Sequence, residues 1–101
     1  MKTLYKWVLR SGTTPVGYLT YDGTWRWEYH PDVVPGQFKL GEFPQVDKVY
    51  ESERLWLTFA NRIPDNIPDK ELTLPEQLIK YGEYTVTTHY VLIFIFHFRY
   101  V

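Results

Sequence analysis

Three histidines, two serines and twelve carboxylates are among the side chains of this chain able to bind a metal, attack a carbonyl or carry a proton. His89 and His97 stand eight apart in a strand-like stretch with no carboxylate at metal-ligand spacing, so no metal site is expected. Ser11 lies in the turn sequence Ser-Gly-Thr-Thr and Ser52 at the start of a helical pattern, where turn and cap formation account for them. Neither serine sits in a nucleophile elbow, and no catalytic triad can be traced. Any two of twelve carboxylates can meet in space, so their abundance defines no general acid and base. The glycines fall singly at positions 12, 17, 23, 36, 41 and 82, which makes neither G-x-G-x-x-G nor a Walker sequence to cradle a phosphate. The chain therefore reads as non-enzymatic, with no cofactor.

Composition narrows the remaining classes. A length of 101 residues suits one domain, residues 1–101, with a single core. The 45% hydrophobic and 23% charged content is that of a globular protein, whereas 19% aromatic residues is high and calls for a cause, either core filling or interface anchoring. The net charge is −1, and the charges are balanced along the chain: six Lys/Arg against five Asp/Glu in residues 1–50, and five against seven in residues 51–101. Without a basic run, the electrostatic attraction that drives non-specific nucleic-acid binding is missing, and no direct contact with DNA or RNA is expected. The N-terminal MKTLYKWVLRSG has no apolar core of the signal-peptide kind. Tyr90 to Phe96 has about a third of the length a bilayer crossing needs. With no cysteine in the chain, a reducing cytoplasm is the expected compartment and no membrane association is expected.

The elements that must position any functional surface follow from periodicity. TLYKWVL, residues 3–9, alternates as a strand, Val16 to Tyr21 reads as a second, and Thr24 to Tyr29 as a third. Asp22-Gly23 between the last two is the signal of a type I′ hairpin, with positive φ at both central residues. In the third strand Trp25, Trp27 and Tyr29 share one face and Arg26, Glu28 and His30 the other, so the large rings belong to the core side. Pro31 and Pro35 end the ladder, and Phe38 to Phe43 is expected as a fourth, short strand.

Ser52 is placed to cap a helix whose stripe is Leu55, Trp56, Phe59 and Ile63, ending near Asn61 ahead of Pro64. Residues 64–70 read as loop. Thr73-Leu74-Pro75-Glu76 has capping-box spacing, and Gly82 is a natural terminator, which predicts a second helix over 74–81. Strand chemistry resumes from Tyr84 to Val91 and again to Val101. The fold class is α+β: a small twisted antiparallel sheet or partial barrel of about five strands with two short helices.

Val16-Gly17-x-Leu19-Thr20, the aromatic strand ending Tyr29-x-Pro31-Asp32, and Phe59-x-Asn61-x-Ile63-Pro64-Asp65 follow one another at a spacing similar to that of the N-terminal subdomain of HipA-type Ser/Thr kinase toxins. That family commonly reads Phe-x-Asn-Leu-Leu-Pro plus an acidic residue in the last motif, and here Arg62-Ile63 replaces Leu-Leu. The resemblance runs through residues 4–66, is weaker over 67–90, and does not extend to the closing IFIFHFRYV. It implies a small HipS-type subunit without the kinase body, whose phosphate loop, catalytic Asp and metal-binding residues are missing from this chain. Such a subunit acts as an antitoxin, binding and inhibiting a HipA-like kinase, in some systems beside a helix-turn-helix DNA-binding protein. A scaffold or activator of the same kinase is the alternative, as is a single-stranded nucleic-acid module that stacks bases on Trp25, Trp27 and Tyr29.

A free-standing subunit exposes what a fused one buries, which fits surplus aromatic surface. Trp56, Phe59, Arg62 and Asp65 are the candidate partner-binding residues. Trp56 sits at the edge of the helical stripe, as an interface anchor or as core. Arg62 lies between that stripe and a proline turn, where paired donors reach a partner carboxylate or phosphate, or else it is a solvated surface charge. Asn61 suits a helix end and Asp65 a turn start.

Overall fold

The computed structural model describes residues 2–83 and 89–100. Its strands are β1 (Lys2–Ser11), β2 (Thr14–Tyr21), β3 (Trp25–Tyr29), β4 (Tyr50–Ser52) and β5 (Tyr90–Tyr100), and its helices are α1 (Leu57–Ala60) and α2 (Leu74–Tyr81). All strand pairs are antiparallel, in the order β4-β3-β2-β1-β5, so the sheet stays open with β4 and β5 at its edges. This is the small α+β fold expected, as an open sheet rather than a barrel.

Alternation decides which side of the sheet is dry. Trp7 and Leu9 of β1, Val16 and Leu19 of β2, and Trp25, Trp27 and Tyr29 of β3 are buried together. Phe43, Phe59 and Leu78 close over them from the loop after β3, from α1 and from α2. The indole of Trp27 is the centre of this packing: it stacks on Phe43 at 5.3 Å, meets Tyr29 edge-on at 5.4 Å and touches Phe59 at 5.5 Å. Gly17 makes room for it, because a Cβ at that position would fall 2.7 Å from the Trp27 ring and 2.4 Å from the Glu28 carbonyl oxygen. The aromatic hairpin is thus the core side of the sheet.

Local signals translated well where they were self-contained. α2 starts at the expected capping box, in which the Thr73 amide donates to Glu76 Oε1 at 2.9 Å and the Glu76 amide donates to Thr73 Oγ1 at 3.5 Å. Gly82 ends that helix, its amide donating to the Leu78 carbonyl at 2.8 Å.

Three expectations are corrected. The hairpin after β2 is a three-residue loop with Tyr21 opposite Trp25, and only Gly23 has positive φ, at 112°. Asp22 instead turns its carboxylate back to accept from the Thr24 amide at 3.3 Å, so the turn is not type I′. Phe38 to Phe43 forms no strand: Leu40 and Phe43 are buried, but the segment folds as turns between Gly36, at φ 83°, and Pro44. The fourth strand is Tyr50–Ser52, where Ser52 pairs with Trp25. That pairing holds Ser52 extended, so it caps no helix; its Oγ accepts from the Arg54 amide at 3.0 Å, and α1 shrinks to the single turn from Leu57. Of the strand expected from Tyr84 to Val91, residues 84–88 lie outside the described residues, and β5 begins at Tyr90.

Candidate partner-binding segment

The segment from Leu55 to Asp65 is short on helix and long on anchors. α1 has no side-chain cap of its own. A distant carboxylate serves instead, for Glu42 Oε1 accepts from both the amide and the hydroxyl of Thr58 at 2.6 Å. A negative group at the start of a helix meets unpaired amides and the positive end of the helix dipole, which makes this a cap delivered from the loop before β4.

The four candidate residues separate into two inside and two at the surface. Phe59 is wholly buried against Trp27 and Phe43. Arg62 is buried as well, 7% exposed, and neither reaches into solvent nor stands on the surface as a solvated charge. Its Nη1 donates to the Gly82 carbonyl at 3.3 Å and its Nη2 to the Tyr90 carbonyl at 3.0 Å. Burial lowers its pKa from the ordinary arginine value, although a guanidinium remains charged at any working pH. The guanidinium thereby ties the end of α2 to the start of β5. Arg62 acts as a polar clasp within this chain.

Trp56 and Asp65 are the members of the set that reach solvent. The Trp56 indole is half-buried, standing edge-on to Phe43 at 5.1 Å, and its neighbour Leu57 is 63% exposed at the tip of α1. Asp65 is exposed in the loop beyond Pro64, on the rim of a groove that Ala60, Ile63, Ile67 and Gln77 also line. Asn61 ends α1, its amide donating to the Leu57 carbonyl at 3.1 Å.

A second groove, of about 440 Å³, lies between α2 and the ends of β1 and β5 and is lined by Tyr5, Glu76, Lys80, His97 and Arg99. Its titratable groups are largely committed to local structure. Glu76 is the N-terminal cap partner of Thr73, and the bonds its carboxylate accepts from the Thr73 amide and from the Thr73 hydroxyl hold its carboxyl below the usual value. Lys80 binds Asp69, which also accepts from the Tyr81 hydroxyl at 2.6 Å. The hydrogen bond from Lys80, then that from Tyr81, lowers the Asp69 pKa. Among the described residues, no group of three His, Cys, Asp or Glu side chains could hold a metal ion, and no helix is long and apolar enough to cross a membrane.

Sequence reasoning missed the face that β1 and β5 share on the other side of the sheet. Register places Lys2, Leu4, Lys6, Val8 and Arg10 of β1 on the face away from the core, opposite Tyr100, Phe98, Phe96, Ile93 and Val91 of β5. The alternation in β1 carried this signal, but without a known partner strand the closing IFIFHFRYV had no face to belong to. On the same side Asp22 accepts from Tyr100 Oη at 3.2 Å and from Arg26 Nη1 at 3.3 Å, and Arg26 Nε lies 3.4 Å from Glu51. Burial alone would raise the Asp22 pKa, but the Thr24 amide, Arg26 and Tyr100 together outweigh it and the pKa falls. Comparison with protein-family models, with curated proteins and with solved structures finds no match for this chain.

Proposed function

We propose that this chain is a non-catalytic regulatory subunit of the HipS type, an antitoxin that binds and inhibits a HipA-like Ser/Thr kinase in the cytoplasm. The observation that carries the reading is the placement of Trp56. Within the segment that resembles the kinase-toxin subdomain, a large indole stays half-exposed beside the exposed Leu57, while Phe59 and Arg62 of the same segment are buried. A rigid aromatic side chain on a supported rim is the kind of residue that anchors protein interfaces. The three stretches on which the resemblance rests also converge in space: Gly17 lies under Trp27, and Trp27 packs on Phe59. Phe59 and Arg62 then support the contact surface from within, and Trp56 and Asp65 are the side chains that meet the kinase.

Co-expression tests this reading. A HipA-like kinase lacking its own N-terminal subdomain arrests growth when produced alone, and this chain restores growth when produced with it. Growth arrest that persists at equal expression contradicts inhibition, and deeper arrest assigns the chain as an activator.

A further inference from the structure

β1 is an inner strand whose main-chain groups pair with β2 and β5, so its outward face offers side chains alone. Lys2, Lys6 and Arg10 share that face, and beside them on β5 Phe96 pairs with Lys6, Phe98 with Leu4 and Tyr100 with Lys2. The three rings form a file, with centroids 5.6 Å apart between Phe96 and Phe98 and 5.8 Å apart between Phe98 and Tyr100. Phe96 is 37% exposed and Phe98 48%, whereas the helices and the loop after β3 close over the opposite side. On the β2 flank, Lys6 Nζ lies 4.6 Å from the centre of the Tyr18 ring. A basic run is absent from the sequence because Lys2, Lys6 and Arg10 are spaced four residues apart, and the sheet gathers them into a basic column with rings on both flanks. Of the acids on this side, Asp22 and Glu51 are bonded to Arg26, which leaves Glu28 of β3, separated from β1 by β2.

We propose that this face binds single-stranded nucleic acid, with bases stacked on Phe96 and Phe98 and phosphates held by Lys2, Lys6 and Arg10. Every base has a π-face, so a file of exposed rings accepts a strand of any sequence while cations alongside it follow the backbone. Tyr100 donates its hydroxyl to Asp22 at 3.2 Å and closes the file at that end. A bilayer would have to take in the Lys6 ammonium together with the Phe96 ring, because the two residues are directly paired. A second copy of the face would meet the cations of this column with Glu28 as its one carboxylate not bonded to Arg26. The activity is additional to the proposed kinase partner, since Trp56 packs on Phe43, on the core side of the sheet.

The test titrates the full chain into fluorescein-labelled oligo-dT and oligo-U of ten nucleotides, read by anisotropy, with backbone amide NMR to locate the contact. Saturable binding of either strand is expected, with shifts centred on β1 and β5, and the stronger of the two tells DNA from RNA as the preferred strand. Three phosphate contacts predict an affinity that falls roughly twentyfold between 50 and 200 mM salt. Phe98→Ala should weaken binding at least fivefold and Phe98→Tyr should retain it. Lys6→Gln should weaken binding and flatten its salt dependence, while Arg99→Gln, on the opposite face, and Trp56→Ala should change neither. No binding of either strand, unchanged binding by Phe98→Ala, or shifts centred on α1 or α2 overturns the proposal. So does duplex DNA or a ten-residue polyglutamate that binds as tightly as oligo-dT, displacement of the strand by phosphatidylglycerol vesicles, or a dimer in sedimentation that the strand does not dissociate. Inhibition of the kinase is measured separately, so a chain that inhibits it yet binds no strand keeps the proposed function and loses only this activity.

Discussion

The Arg62 guanidinium donates to the carbonyl oxygen of Tyr90 at 3.0 Å, linking residues 28 apart in sequence through a buried cation. A second bond to Gly82 makes the same side chain the clasp between α2 and β5. Arg62→Ala should therefore lower stability by roughly 2–3 kcal/mol, the scale of hydrogen bonds to a charged group whose acceptors are then left buried. Arg62→Lys should recover only part of this, since an ammonium lacks the fork that reaches both carbonyls. Urea denaturation of the three proteins checks the order, and an unchanged midpoint for Arg62→Ala would show that the clasp carries no stability.

Gly17 and Gly23 should differ in how they fail. Gly17→Ala drives a methyl into the Glu28 carbonyl and the Trp27 ring, so the β2–β3 pair must shift, at about 1–3 kcal/mol for an overpacked core. Gly23 has open space around it but a φ of 112°, so Gly23→Val suffers from backbone strain alone, about 1 kcal/mol or more. Trp fluorescence should shift in folded Gly17→Ala and stay native in folded Gly23→Val.

The Tyr29 hydroxyl donates to the Phe43 carbonyl, and burial, aided by nearby Tyr50 and Tyr90, pushes its pKa up to about 12. The folded state thus holds this proton more tightly than the unfolded chain, whose tyrosine titrates near 10. Stability from this group is complete below pH 10 and is lost as pH rises from about 10 to 12, by at most about 3 kcal/mol. Tyr29→Phe should start less stable and show a flatter decline over that window, read from melting temperature against pH.

What the sequence made legible was whatever a few neighbouring residues decide. The capping box at Thr73 and Glu76 settles α2, and the alternation of Trp25, Trp27 and Tyr29 settles which side of β3 is dry. The misread elements depend on distant partners. Ser52 has the chemistry of a cap but is held as strand by Trp25, and α1 begins late with a cap taken from Glu42. Phe38 to Phe43 has strand-like residues and no strand beside it. Arg62 looked like a surface cation because nothing local announced the Gly82 and Tyr90 carbonyls that accept from it. Of the candidate site, the position of Trp56 at the edge of an apolar stripe was readable, while the face shared by β1 and β5 required their register.

Under the proposed function, Trp56 is a contact residue more than a folding residue. Its ring is half-buried on Phe43, so Trp56→Ala should cost about 1–2 kcal/mol, short of the roughly 3–5 kcal/mol for a fully buried aromatic, and the protein should still melt cooperatively. Thermal melting of the variant beside the parent checks this, and loss of the folded state would place the ring in the core instead.

The central claim is tested by isothermal titration of a HipA-like kinase lacking its N-terminal subdomain with the purified chain, with phosphorylation followed in the same mixtures. The account predicts a saturable one-to-one complex in which phosphorylation falls as the complex forms. Trp56→Ala should weaken that complex by about 2 kcal/mol, some thirtyfold, while remaining folded. Absence of a complex, or a complex whose kinase keeps full activity, would contradict it.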